Sequence, residues 1–120
     1  MATILVMDDE APIRTLMSTA LRAEGYAVIE ASNGWEGLRL YRQNPADLVM
    51  VDILMPELNG PETIIELTRE FLDIKVIAMS GVFGEEFIKK TARLLGARRM
   101  LRKPFGMVEM LKAVRYELAH

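Results

Sequence analysis

Four short apolar runs each stop at a polar residue. Thr3 to Met7 ends at Asp8-Asp9, Leu48 to Val51 at Asp52, Lys75 to Met79 at Ser80, and Arg98 to Leu101 runs into Lys103-Pro104. Unbroken apolar runs of this length read as strands covered on both faces, which is the habit of parallel sheets. Side by side, such strands would gather three carboxylates, a hydroxyl and an ammonium at one carboxyl edge. Open α/β sheets bind ligands and do chemistry at that edge.

The stretches between the runs read as helices. Behind Pro12, residues Ile13, Leu16, Met17, Ala20 and Leu21 recur at helical spacing, and Gly25 stops the run. Tyr26 to Ile29 is a second strand. Ser32-Asn33-Gly34 then makes a turn and cap for a helix through Leu38 and Tyr41 to Asn44-Pro45. The loop Met55 to Gly60 leaves the third strand, and Pro61 opens a helix with Ile64, Leu67 and Phe71 inward. A glycine-bearing loop from Ser80 to Gly84 precedes a helix through Ile88, Ala92 and Leu95, closed by Gly96. Arg98 to Leu101 is the most polar strand and is placed at a sheet edge. The last helix carries Met107, Met110, Leu111, Val114 and Leu118 on one face. Five strands alternating with five helices predict a parallel sheet covered on both sides, in one domain over residues 1–120.

Composition narrows the chemistry. With no cysteine, disulfides, thiolate metal sites and cysteine nucleophiles are excluded. Fifteen Lys and Arg against 17 Asp and Glu leave a formal charge of -2, which offers no basic surface for nucleic acid. The apolar runs are too short to span a membrane, and a cytoplasmic protein without a signal peptide is expected.

Taken singly, Asp8-Asp9 before a helix reads as an N-cap, Ser80-Gly81 as a turn, and Lys103-Pro104 as the end of a strand. Their conjunction says more. The run Met7-Asp8-Asp9-Glu10, Asp52 in Val-Asp-Ile-Leu-Met-Pro, Ser80-Gly81, Gly96-Ala97 and Lys103-Pro104-Phe105 occur in this order over about Thr3 to Leu118. In that order and at those intervals they resemble the receiver domain of a two-component response regulator, in its stand-alone, chemotaxis-type form. The resemblance implies a flavodoxin-like doubly wound sheet with strand order 2-1-3-4-5. Its switch point would lie between the first and third strands, at the tips that hold Asp8, Asp9 and Asp52.

The resemblance also implies phosphorelay chemistry. Asp52 is the expected nucleophile, forming an aspartyl-phosphate, with Mg2+ offsetting the repulsion between carboxylates and an anionic donor. Asp9 and Asp52 would be direct metal ligands, the Leu54 carbonyl a third, and Asp8 would act mainly through a bound water. Lys103 would bring a compact charge to a phosphoryl oxygen and pair with Asp52 in its absence, aimed inward by a cis bond to Pro104. Ser80 would donate its hydroxyl to another phosphoryl oxygen, and Gly81 would leave the approach open. Leu54 and Val82 flank the phosphoryl in this family. Both are apolar and position no attacking water, so slow self-dephosphorylation is expected.

Two departures from the family pattern bear on output. Met100 stands where an aromatic switch residue is usual, and methionine is flexible enough to fill the space that residue would vacate. Arg98-Arg99 replaces a common acidic pair and makes this edge basic. Phe87, Leu94 and Met100 form a candidate apolar docking patch. The expected partners are a sensor histidine kinase or histidine phosphotransfer protein and a downstream protein target, with no nucleic acid and no membrane. A monomer or a weak phosphorylation-dependent dimer is expected. A stand-alone chain with no output domain after His120 is expected, acting through protein contacts rather than direct transcription control. No enzyme activity is expected beyond assistance to its own phosphoryl transfer and slow hydrolysis. The alternative is a pseudo-receiver, an interaction module whose state ignores phosphate. A small-molecule aspartyl-phosphate hydrolase would need a second acid where Leu54 stands, and a flavin carrier would set an anionic cofactor against acidic strand tips.

Overall fold

Residues along each strand alternate between two apolar layers, and that alternation places the site. The computed structural model describes residues 1–53, 60–81 and 96–120. Five parallel strands, β1 (Thr3–Met7), β2 (Ala27–Ala31), β3 (Leu48–Asp52), β4 (Val76–Ser80) and β5 (Arg99–Arg102), form one sheet in the order β2-β1-β3-β4-β5. Among the described residues the helices are α1 (Ala11–Ala23), α2 (Gly34–Gln43), α3 (Gly60–Glu70) and α4 (Met107–Ala119). This is the flavodoxin-like order expected, with β5 at an edge. The helix expected through Ile88, Ala92 and Leu95 lies outside the described residues, as do Leu54, Val82, Phe87 and Leu94.

One face of the sheet sends Leu5, Met7, Val49, Val51, Val76 and Ala78 toward Leu38 and Tyr41 of α2 and Ile64 and Leu67 of α3. The other sends Ile4, Val6, Leu48, Met50, Ile77, Met79 and Leu101 toward Met17 and Leu21 of α1 and Met110, Ala113 and Val114 of α4. All of these are buried, so the three central strands are covered on both faces, as their unbroken apolar runs require. Period-two alternation has a consequence at the strand ends. Val6, Met50 and Leu101 share the second layer, and Asp8, Asp52 and Lys103 each follow one of them by two residues. The three charged side chains therefore leave the sheet on one side, and they meet.

Local signals account for the helix ends. Pro12 sits in the first turn of α1, and Gly25 just past its end takes φ +90°, a left-handed conformation that costs glycine nothing. Asn33 caps α2 by accepting the Glu36 N–H at 2.8 Å, while Glu36 Oε1 accepts the Ser32 N–H at 3.1 Å. Phe71 follows α3 and packs edge-on against Tyr41, with ring centroids 4.7 Å apart.

Glu117 on the inner side of α4 is buried, and Arg99 of β5 donates to its Oε2 at 3.0 Å. The same guanidinium lies 5.2 Å from the centroid of the Tyr116 ring. Of the arginine pair expected to make this edge basic, Arg99 is thus committed within the chain and Arg98 alone is exposed. Met100 is half-buried and packs against the α2–α3 layer.

Candidate functional site

The carboxyl ends of β1, β3, β4 and β5 border a cavity of about 600 Å³. Asp9, Glu10, Asp52, Ser80, Gly81 and Lys103 line its polar end, while Ile13, Leu16, Pro104, Phe105 and Met107 form an apolar wall. Strand pairing sets the level of each tip. Met7 lies opposite Val51, Asp52 opposite Met79, and Ser80 opposite Arg102.

Lys103 ties the site together. Its Nζ donates to Asp8 Oδ2 at 2.7 Å and to Asp52 Oδ2 at 2.8 Å, and lies 3.8 Å from Glu10 Oε1. Asp8 is fully buried and Asp52 is 5% exposed. Burial works to lower the lysine's pKa, but the hydrogen bonds and charges of Asp52 and Asp8 outweigh it and hold the ammonium above its ordinary 10.5. Two carboxylates against one ammonium leave the buried group short of positive charge. A cation of higher charge is the natural complement.

The turn that presents the acids is closely bonded. Asp8 N–H donates to Ala31 O at 3.1 Å, and Asp8 Oδ1 accepts the Glu10 N–H at 2.9 Å. Taken alone, Asp8-Asp9 read as an N-cap; the residue at that position is Glu10, whose side chain makes no capping bond. Lys103 N–H donates to Ser80 O at 2.9 Å, so the lysine and the serine tip are held by one backbone bond. The Lys103–Pro104 peptide bond is cis, as expected from the resemblance. Ser80 Oγ is buried and makes no hydrogen bond among the described residues. An unpaired buried hydroxyl is costly and calls for an explanation, and a ligand oxygen in the cavity supplies one.

All of the expected site residues within the described segments border this one place. Asp9, expected as a direct ligand, lines the cavity from its exposed side. Among the described residues, the carboxylates whose oxygens lie within 4.8 Å of one another are Asp8, Glu10 and Asp52. Glu10 belongs to the acidic motif, but sequence reasoning gives it no role. Its position, directly after two aspartates and before a helix, was the available signal. The Leu54 carbonyl lies outside the described residues.

Gly81 also lies against Lys103. A Cβ placed there would stand 3.0 Å from Lys103 O and 3.1 Å from Lys103 Cβ, so a side chain would press on the lysine's backbone. Gly81→Ala is expected to shift Lys103 away from Asp52. Phosphorylation should slow several-fold for a stability cost of about 1–2 kcal/mol. Rates and urea midpoints of the two proteins, measured side by side, check this. An unchanged rate would show that the lysine tolerates the displacement.

Residues 4–115 match the family model of the response regulator receiver domain. The chain belongs to that family. It is 39% identical over 112 residues to a probable transcriptional regulator, ycf27, of Porphyra purpurea, covering 93% of this chain and 45% of that protein. It is 36% identical over 116 residues to the response regulator GtcR of Aneurinibacillus migulanus, covering 97% of this chain and 47% of that one. The receiver thus spans about half the length of the curated relatives it matches. Among solved structures, a response regulator receiver domain protein from Clostridium thermocellum superposes with a TM-score of 0.91 at 31% identity, over 99% of this chain and 95% of that one. The chemotaxis protein CheY4 of Vibrio cholerae gives 0.90 at 27%, over 97% and 98%.

Receivers as a family accept phosphoryl on an aspartate and bind Mg2+ in an acidic pocket. The donors here fit that ion. Asp8, Glu10 and Asp52 offer hard oxygen ligands at close quarters, and magnesium prefers carboxylates, carbonyls and water to nitrogen or sulfur. No helix of the described residues is long and apolar enough to cross a membrane.

Proposed function

We propose that this receiver takes a phosphoryl group onto Asp52 from the phosphohistidine of a sensor histidine kinase or a histidine phosphotransfer protein, in the cytoplasm. It then signals through contacts with a downstream protein target rather than nucleic acid. The observation that carries this reading is the Lys103 ammonium bridging Asp8 and Asp52 next to the buried, unpaired hydroxyl of Ser80.

An Asp52 carboxylate oxygen attacks phosphorus, the bond from phosphorus to the donor nitrogen breaks, and the leaving imidazole takes up a proton. Lys103 passes from the carboxylates to a phosphoryl oxygen, and Ser80 donates its hydroxyl to another. Asp52, Asp8 and the acids beside Asp8, Asp9 and Glu10, would hold Mg2+, which would supply the remaining charge neutralisation. The receiver is a phosphoacceptor rather than a turnover enzyme. Ser80 and Met100 lie on neighbouring strands, with Ala78 opposite Met100. Movement of the Ser80 tip toward phosphate would let Met100 repack behind it, altering the β4–β5 surface a target reads.

Intact mass after incubation with a small-molecule phosphodonor and Mg2+ tests the reading. A gain of one phosphoryl that needs Mg2+ is expected. No gain from folded, Mg2+-bound protein would favour the pseudo-receiver. Once formed, the phosphoryl should be long-lived, because Leu54 and Val82 offer no group to position water. Leu54→Asn and Val82→Glu are each expected to shorten its lifetime by at least about tenfold. Equal lifetimes in all three proteins would sink that expectation.

A further inference from the structure

Every polar backbone and side-chain atom of Asp8 has a partner, and one of those partners has no part in phosphoryl transfer. Asp8 O accepts a hydrogen bond from Arg14 Nη1 of α1 at 2.7 Å. The Nε of the same guanidinium donates to Glu30 Oε1 on β2 at 3.3 Å, and the other carboxylate oxygen of Glu30 faces Arg22 Nη2 at 3.4 Å. Arg14 N–H also closes the first turn of α1 onto Glu10 O at 3.0 Å. The Arg14 side chain is 19% exposed and that of Glu30 30%, so the pair is only partly shielded from water. One rigid planar group thus spans from the edge strand to the three-residue turn that carries Asp8, Asp9 and Glu10. No side-chain cap fixes that turn from the helix side.

We propose that Arg14, oriented by Glu30, is a positioning residue that sets the Mg2+ affinity of the Asp8–Glu10 turn. The inference rests on the reading of these acids as the metal site. Outer partners of metal ligands commonly set affinity by fixing the ligands' orientation. The sign of the effect separates positioning from simple charge. A guanidinium near an acidic site repels a dication, so charge alone predicts tighter Mg2+ binding when Arg14 is removed. Positioning predicts weaker binding.

Calorimetric titration with Mg2+ decides it, on the parent, Arg14→Ala, Arg14→Lys and Glu30→Gln, with thermal stability measured on each. The expected result is a loss of about tenfold in Mg2+ affinity for Arg14→Ala. Arg14→Lys keeps the charge and can still reach the Asp8 carbonyl, and should recover part of the loss. Glu30→Gln preserves the shape of the partner and should show a smaller loss. Unchanged or tighter binding in Arg14→Ala overturns the proposal. Should that variant fail to fold, Arg14→Lys carries the test, because it keeps the charge: weaker binding supports the role and unchanged binding overturns it. The parent titration separates the two readings. A parent that binds no Mg2+ overturns the metal site itself, and with it this role. A parent that binds, with variants identical to it, overturns the role of Arg14 alone.

Discussion

Asp52→Asn is expected to abolish phosphorylation, a loss on the order of 10⁴-fold or more, while the fold persists. Asparagine keeps the volume of the side chain, and its carbonyl oxygen can still accept from Lys103, which donates to Asp52 Oδ2 at 2.8 Å. What it lacks is the anionic oxygen that attacks phosphorus. Stability should change by no more than about 1 kcal/mol, because two effects oppose one another. The variant loses an ion pair with Lys103, and it relieves the repulsion between two buried carboxylates, Asp8 and Asp52, that share one ammonium. Intact mass with a phosphodonor and Mg2+, together with thermal melts, reads both quantities. Asp8, Asp9 and Glu10 stand beside the same cavity or the same lysine, so peptide mapping belongs in the experiment. Undiminished phosphorylation in the variant, mapped to a neighbouring acid, would show that the nucleophile has been misassigned.

The sheet was legible in the sequence because its central strands are buried on both faces. Unbroken runs such as Leu48 to Val51 leave little room for another reading, and the residues that end them border the candidate site. The limits of the runs were less visible, for a physical reason. Polarity ended the apolar runs before pairing ended the strands. β3 continues through Asp52 and β4 through Ser80, since both residues still have partners across the sheet. The second strand was expected over Tyr26 to Ile29 and extends instead over Ala27–Ala31. Glu30 broke the apolar pattern there, yet its carboxylate is satisfied by Arg14 and Arg22 of α1.

Pairings between distant residues leave no periodic trace, and they explain what the sequence did not disclose. Glu117 is buried because Arg99, on another element, answers its charge. Arg14 reads as an ordinary polar position on an amphipathic helix until the Asp8 carbonyl is found against it. Glu10 joins the carboxylate cluster only because the turn after β1 folds back on itself through the bond from Glu10 N–H to Asp8 Oδ1. Each case depends on a turn geometry or a contact between elements. Composition and spacing carry neither.

Removing Lys103 should move stability, metal binding and phosphorylation in different directions. In Lys103→Ala without Mg2+, Asp8 and Asp52 lose their shared cation while Asp8 remains fully buried, and a destabilisation of about 3 kcal/mol is expected. On the proposed metal site the lysine and the dication would compete for the same oxygens. Unit charges about 4 Å apart interact by roughly 4 kcal/mol at an effective dielectric near 20, so losing the ammonium should tighten Mg2+ binding by more than about tenfold. Saturating Mg2+ should then restore most of the lost stability. Phosphorylation should nevertheless slow by about a hundredfold, because the positive group that meets the phosphoryl oxygen is gone. The pH dependence has a definite sign. The ammonium's pKa is raised in the folded protein, so its stabilising contribution is complete below 10.5 and is lost as pH climbs through the folded value. The stability difference between parent and variant should therefore stay flat through neutral pH and shrink only in the alkaline range. Calorimetric Mg2+ titrations and urea melts from neutral to strongly alkaline pH measure both. Mg2+ binding no tighter in the variant would mean that the lysine does not hold the metal's place, and the bridge it makes would then be structural alone.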